Sequence, residues 1–403
     1  MSAYKGYSGM LGKMPPVVLL AFLAGCGGGG GGGGNAGGGG GGPGGGPPDF
    51  TAPTVTSMSP SEDSGGSSPT PGIGINSKIT ATLSEAMIAA MLTEIDPVTH
   101  SPANFRLTDG TTTNGILNNI PGTVSYDSTN HIAAFTPPAP LASNTRYSAT
   151  IITGVKDLAG NPLTADFAWC FVTGGTTDSA APSVTSTVPA AAATDVAVNR
   201  KIVATFSEDM NSSTLPASFT VTGPGGAPVS GTVTYLVRTA VFTPSGGLAA
   251  NTAYAAAIGG GATDLAGNAS QAKTWSFTTG ASADLTAPAV VSTNPAGTGV
   301  AITGTIKVTL NEPMDPATIT TANLLVTGPG TTPVTGTVAF DSATNTATFT
   351  RQNHFLTPAV CDLTPASNLD PNTTYTATLS TGATDLAGKP LASNVVWSFT
   401  TAP

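Results

Sequence analysis

The sequence predicts an all-β chain: three antiparallel sandwiches in tandem, preceded by a leader and a tether that form no domain. Three observations predict it. A block of residues recurs three times after residue 50. Within each block, apolar residues alternate with Thr or Ser, the two-residue period of a half-buried strand. No apolar stripe of 3.6-residue period runs far enough to make a long helix; Met87 to Glu94 has room for one or two turns.

The first segment, 1–25, reads as an address. It carries Lys5 and Lys13, no acid, and then the apolar run Val17 to Ala24. Eight residues are too few to cross a bilayer core, which takes roughly 20 in a helix. Pro15 and Pro16 keep a helix from extending backward through the run. A positive start, a short apolar core and small residues make a secretory signal. The run ends Leu23-Ala24-Gly25-Cys26, which resembles the bacterial lipoprotein signal. That resemblance implies cleavage before Cys26 and acylation of its thiol and amine. The alternative is an ordinary signal peptide with an incidental cysteine.

Segment 26–50 follows as a tether. Between Gly27 and Gly46 only Asn35, Ala36 and Pro43 interrupt the glycines. Such a stretch has no side chain to bury and loses the most backbone entropy on ordering. Its 24 residues from Gly27 to Phe50 imply an r.m.s. span of roughly 25–30 Å. A phosphate-cradling loop would need a strand before it and a helix after it, and neither is written here.

The remainder divides into 51–175, 180–281 and 286–403. The repeat is visible in Ile75-Asn-Ser-Lys-Ile-Thr-Ala-Thr-Leu-Ser-Glu-Ala-Met87, in Val198 to Met210, and more loosely in Ile302 to Met314. It is visible again in Asp157-Leu-Ala-Gly-Asn161, Asp264-Leu-Ala-Gly-Asn268 and Asp385-Leu-Ala-Gly-Lys389. Trp169, Trp275 and Trp397 open the closing strands. The spacing between the opening prolines Pro53, Pro182 and Pro288 is 129 and then 106 residues, which marks whole domains rather than solenoid repeats. The second unit gives seven strand-like runs, near 183–188, 200–207, 217–222, 231–236, 239–243, 252–258 and 273–279. Seven short strands separated by Pro, Gly and Asn turns read as an immunoglobulin-like (Ig-like) sandwich. Tyr147, Tyr254 and Tyr375 each lie six residues after a Leu, as a tyrosine corner would, with the hydroxyl expected to satisfy a turn carbonyl.

Taken together, Ser-Glu-x-Met, Leu-x-x-Asn-Thr-x-Tyr, Asp-Leu-Ala-Gly-Asn and the closing Trp-Ser-Phe-Thr-Thr resemble the bacterial Ig-like domain of the S-layer protein SbsA type, in three copies. The third copy departs at Pro313, at Lys389 and in an insertion near Arg351–Asn368. The first has Cys170 where the others have Ser276 and Ser398. The resemblance implies spacer, adhesive or structural modules of surface and secreted bacterial proteins.

Composition bounds the chemistry. Charged residues make up 9 % of the chain, and the net charge of −9 becomes −11 without Lys5 and Lys13. A chain with no basic footprint does not bind nucleic acid. Glu85, Glu208 and Glu312 recur at one position, with the expected role of a strand-end carboxylate accepting backbone N–H bonds. Asp157, Asp264 and Asp385 read as Asx-turns closed by a glycine at positive φ. The alternative is calcium ligation, with Asn161 or Asn268 as an amide oxygen and linker acids Asp49, Asp178 and Asp284 contributing at the junctions, although one carboxylate per loop falls short of the 6–8 oxygens the ion takes. His100, His131 and His354 share no metal spacing, and no Gly-x-Ser-x-Gly elbow occurs. Cys170 alternates with Trp169 and Phe171, so it is expected to face outward, with it and Cys361 as independent thiols.

These readings converge on a non-enzymatic envelope lipoprotein at the outer membrane or cell surface. Its one assigned site residue is Cys26, for lipidation; no catalytic, cofactor or metal residue is assigned. It meets the membrane through its anchor, and its modules act as a structural or spacer array or bind a protein or glycan of unspecified identity. The alternative is a carbohydrate-binding or accessory array of an extracellular enzyme system, which would show a row of exposed aromatics.

Overall fold

The structure, a computed structural model, describes residues 49–60, 73–96, 101–113, 116–301, 305–334, 336–351 and 369–403. The expected signal segment, Cys26, the glycine-rich stretch through Pro48, His100, His354 and the third-copy insertion with Cys361 lie outside the described residues. Among the described residues, no helix is long and apolar enough to cross a membrane.

The second unit shows the architecture most completely. One four-stranded sheet runs Gly231–Leu236, Thr239–Pro244, Ile202–Phe206, Val184–Val188; the other runs Ala193–Val196, Lys273–Thr279, Ala253–Ile258, Phe219–Thr222. Alternation sets the faces. Ile202, Ala204 and Phe206 all point into the core, and so do Trp275 and Phe277 from the opposite sheet. Each large apolar side chain taken out of water contributes on the order of 1.5–3 kcal/mol. The first and third units repeat the plan around their own cores. The short helix Ala89–Leu92 is the single turn that the Met87–Glu94 segment had room for.

The strand reading missed one element. Ala193–Val196 pairs parallel to the closing strand, Ala193 opposite Phe277, and Gly297–Val300 does the same in the third unit. The pattern Ala-Thr-Asp-Val shows no alternation, and Asp195 sits at φ 58. Pairing with the closing strand makes it a strand, and only its end residues Ala193 and Val196 reach the core, a spacing that no two-residue period shows. The sandwiches are therefore antiparallel apart from this edge. The first unit has only the isolated parallel bridge between Ile73 and Thr173 there. It instead extends its sheet with the hairpin Phe105–Thr113 and Ile116–Asn119.

Repeated details fix each sandwich. The Tyr254 hydroxyl accepts the backbone N–H of Ala249 at 2.8 Å, as Tyr147 does from Ala142 (2.8 Å) and Tyr375 from Asp370 (2.9 Å). The corner is present, but the hydroxyl satisfies an amide rather than the expected carbonyl. The turn carbonyls go to Thr173, Thr279 and Thr401, each donating at 2.6 Å. Each tyrosine ring stacks on the Phe of the closing strand, with centroids 5.7–5.8 Å apart. Gly122, Gly231 and Gly336 occupy one position where a Cβ would come within 2.6 Å of a core Phe ring, so only glycine fits.

The expectations for Cys170 are corrected. Cys170 is fully buried and disulfide-bonded. Its side chain does alternate with Trp169 and Phe171, but a period-two pattern says only which face a residue takes. It does not say whether other chain covers that face.

The units touch through one recurring device. The Lys78 N–H donates to the Leu265 carbonyl, and the Lys201 N–H to the Leu386 carbonyl, both at 2.8 Å. The second and third Asp-Leu-Ala-Gly loops thereby dock on the unit before them. Leu386 packs with Val188, Val203 and Val241 of the second unit, burying an outer sheet face that alternation alone would leave wet. Lys201 also pairs with Asp315 across this junction.

Candidate functional site

The docking loops carry the molecule's densest chemistry. Antiparallel bridges join Met87 to Asp157, Met210 to Asp264 and Met314 to Asp385. Each bridge lays the Glu-x-Met segment (Ser84, Ser207 or Asn311 before the Glu) against the Asp-Leu-Ala-Gly loop, which brings a Glu beside an Asp. The linker acid arrives third. Asn76 grips Asp178 by accepting from its N–H (2.8 Å) and donating to its carbonyl (3.1 Å). Asn199 grips Asp284 in the same way, at 2.9 and 3.0 Å.

The result is a carboxylate triad in every unit: Asp49–Glu85–Asp157, Asp178–Glu208–Asp264 and Asp284–Glu312–Asp385. Within each, one oxygen per residue lies within 4.8 Å of the others. The second and third triads sit at the junctions between units, because their linker acids are held by the preceding unit.

The Asx-turn reading accounts for part of this. Asn161 and Asn268 N–H groups donate to Oδ1 of Asp157 and Asp264 at 2.7 and 2.8 Å, and Gly160 and Gly267 lie at φ 94. The linker acids cap their own turns, as Asp178 does at Ala180 (2.9 Å) and Asp284 at Thr286 (3.0 Å). The three glutamates differ from expectation. Among the described residues no backbone N–H reaches their carboxylates, and they face the two aspartates instead. Sequence distance hid this, because linker, strand end and loop are far apart along the chain.

Crowding shows in the protonation. Burial, then the charge of Asp178 and a hydrogen bond with it, then Asp264, push Glu208 up to about 7, against an opposing pull from Arg238. Burial and then Asp385 and Asp284 raise Glu312, with Arg200 opposing. Burial, Asp49 and Asp157 raise Glu85. Burial also lifts Asp264 above its ordinary value despite the Asn268 bonds. At Asp157 burial works upward too, but the donors of Asn161, Gly160 and Ala159 outweigh it and hold the carboxyl low.

The third triad differs from its siblings. Asn161 and Asn268 also donate side-chain amides to Oδ2 of Asp157 and Asp264, at 2.8 Å each. Lys389 replaces that Asn. Asp385 Oδ1 accepts from the N–H groups of Ala387 (2.7 Å) and Lys389 (2.8 Å), while its Oδ2 is buried with no donor.

Elsewhere the surface offers little chemistry. A cleft of about 720 Å³ at the second junction is lined by Asp195, Arg200 and the linker 282–286. A second, of about 620 Å³, contains His131 as its one imidazole and no carboxylate. Sequence reasoning missed Asn76 and Asn199, although both stand in the repeated Asn-x-Lys-Ile.

The bacterial Ig-like domain family matches residues 49–173, 178–279 and 284–401, and the chain belongs to that family. No curated protein matches. Among solved structures, the N-terminal part of the bacterial S-layer protein SbsC is similar at 14 % identity and a TM-score of 0.22, over 55 % of this chain and 44 % of that one. SbsC domains 1–6 align at 13 % and 0.21, over 88 % and 54 %. The chicken CNTN1 FN1–FN3 domains align at 14 % and 0.19, over 83 % and 100 %. Scores this low carry no argument beyond the family match. The chain spans about half the length of the S-layer structures.

Proposed function

We propose that this chain is a lipid-anchored surface protein whose three Ig-like modules serve as a structural, spacer or adhesion array of the bacterial envelope, with modules of the SbsA type. The observation that carries it is Leu23-Ala24-Gly25-Cys26 at the end of a short apolar run, ahead of a glycine tether and three family-matched domains. Acylation fits the placement: each buried CH₂ adds ~0.8 kcal/mol, and more than one chain makes anchoring stable. In this reading the modules stand at the outer membrane or cell surface. Family membership supports a non-catalytic role.

The carbohydrate-binding alternative is the weaker reading. Phe50, 83 % exposed, is the one strongly exposed aromatic among the described residues, and Trp169 and Trp275 are buried. A sugar platform would need several exposed rings together.

Cysteine chemistry supplies the test. A thioether on Cys26 uses the sulfur that a disulfide would need. With three cysteines in the chain, acylation leaves Cys361 as the intrachain partner of Cys170. Peptide mapping of the mature, unreduced protein should find an acylated N-terminal Cys26 and a Cys170–Cys361 crosslink. A Cys170–Cys26 crosslink, or a mature N-terminus elsewhere, would overturn the lipoprotein reading.

A further inference from the structure

We propose that the Asp284–Glu312–Asp385 triad binds one divalent cation of the calcium type, and that the ion clamps the third module to the second. Two observations carry this. The first is convergence: three carboxylates with oxygens inside 4.8 Å, contributed by a linker, a strand end and a loop. The second is independent of it. Asp385 is 1 % exposed, its Oδ1 is already occupied by two backbone donors, and its Oδ2 is buried beside the other two acids without any donor. A buried carboxylate oxygen left without a donor is costly. A cation at the centre of the triad satisfies it.

The donor set names the class of ion. It is all oxygen and carries no imidazole or thiolate, which excludes the soft-ligand preference of zinc or copper. Three carboxylates give up to six oxygens, some already used by turns, so water completes the shell. Calcium accepts that irregular, partly hydrated arrangement at 2.3–2.6 Å, whereas magnesium demands a near-ideal octahedron. Arg200 stands at the rim, 3.9 Å from Asp284 Oδ2, and offsets part of the negative charge. That distance is a loose ion pair, which a bound cation displaces.

The clamp follows from who holds each ligand. Asn199 of the second module fixes the backbone of Asp284 from both sides. Glu312 and Asp385 belong to the third module. An ion shared among them therefore crosslinks the two modules across the linker at 280–287. The Asp178–Glu208–Asp264 triad at the first junction has the same ligands, but Asn268 already satisfies its loop oxygen, so it fills second.

The test uses the full chain in detergent, stripped with chelator and titrated with calcium chloride by calorimetry and thermal melting, beside limited proteolysis of the linker. Binding at the third triad should give at least one equivalent of calcium per chain. The melting temperature should rise by on the order of 5 °C at saturation, and cleavage within 280–287 should slow several-fold. Magnesium should bind at least tenfold more weakly. Glu312→Gln, which alters the partly exposed ligand and spares the buried one, should remove one equivalent and the linker protection while leaving the calcium-free melt intact. If Glu312→Gln itself unfolds, the wild-type proteolysis and stoichiometry still decide. Absence of calcium-dependent heat and protection at millimolar calcium would overturn the proposal, and so would an unchanged stoichiometry in a folded Glu312→Gln chain.

Discussion

Leu158, Leu265 and Leu386 occupy the same position of the same Asp-Leu-Ala-Gly loop, yet their exposures are 72 %, 4 % and 1 %. The local backbone does not explain this, since all three loops close over a glycine at positive φ. What differs is the preceding module. Leu265 and Leu386 each dock on one, whereas Leu158 has none among the described residues. One motif thus serves as a turn in every copy and as an interdomain plug in two of them. The receiving surfaces differ as well. Val188, Val203 and Val241 take Leu386. The matching positions of the third module are Asn294, Lys307 and Thr348, which pair in one row of its sheet. A face with a lysine at its centre would not accept another leucine.

Breaking the plug is the largest expected effect. Leu386→Ala should cost about 2–5 kcal/mol in denaturant unfolding, the usual range for a well-packed buried leucine. Leu158→Ala should stay within about 0.5 kcal/mol, as exposed changes do. Equal losses at both would show that the loop, not the junction, is the source of stability. A smaller effect tests what does not vary with position. Tyr147→Phe and Tyr254→Phe each remove one hydroxyl acceptor from a backbone amide, so each should lose about 1–2 kcal/mol. A marked difference between them would mean that the corner, too, depends on its neighbours.

The smallest effect is in pH. Glu208 is held near 7 when folded, against 4.5 when free, by burial and by Asp178 and Asp264, with Arg238 opposing. The folded state therefore binds the proton more tightly than the unfolded one. That contribution is complete below about 4.5 and is lost as pH climbs toward 7. Without divalent cations, the second module's melting temperature should fall across that window. Glu208→Gln should flatten the slope. A wild-type melt that is level from pH 4.5 to 7 would contradict the crowding.

Much of the fold was legible because its signals are local. Alternation in Lys201 to Ser207 named the inward residues Ile202, Ala204 and Phe206. Leu-x-x-Asn-Thr-x-Tyr placed the corner, and the turn role of Asp157 and Asp264 followed from the glycine three residues on. The edge strand Ala193–Val196 was not legible, since backbone pairing with the closing strand makes it rather than any side-chain pattern. The triads were half legible. Every member recurs in the repeat, but nothing in one dimension shows that the linker folds back to its loop.

By itself, the sequence determined the class of fold, the threefold repetition, the core faces and the turn chemistry, all of which depend on residues close in the chain. Tertiary structure alone decided which leucine is buried, that Cys170 is covered and bonded, and that nine acids meet as three triads. Those outcomes depend on which surfaces come together. Burial and charge crowding are properties of that assembled space, and the same five-residue loop takes whichever role its neighbour imposes.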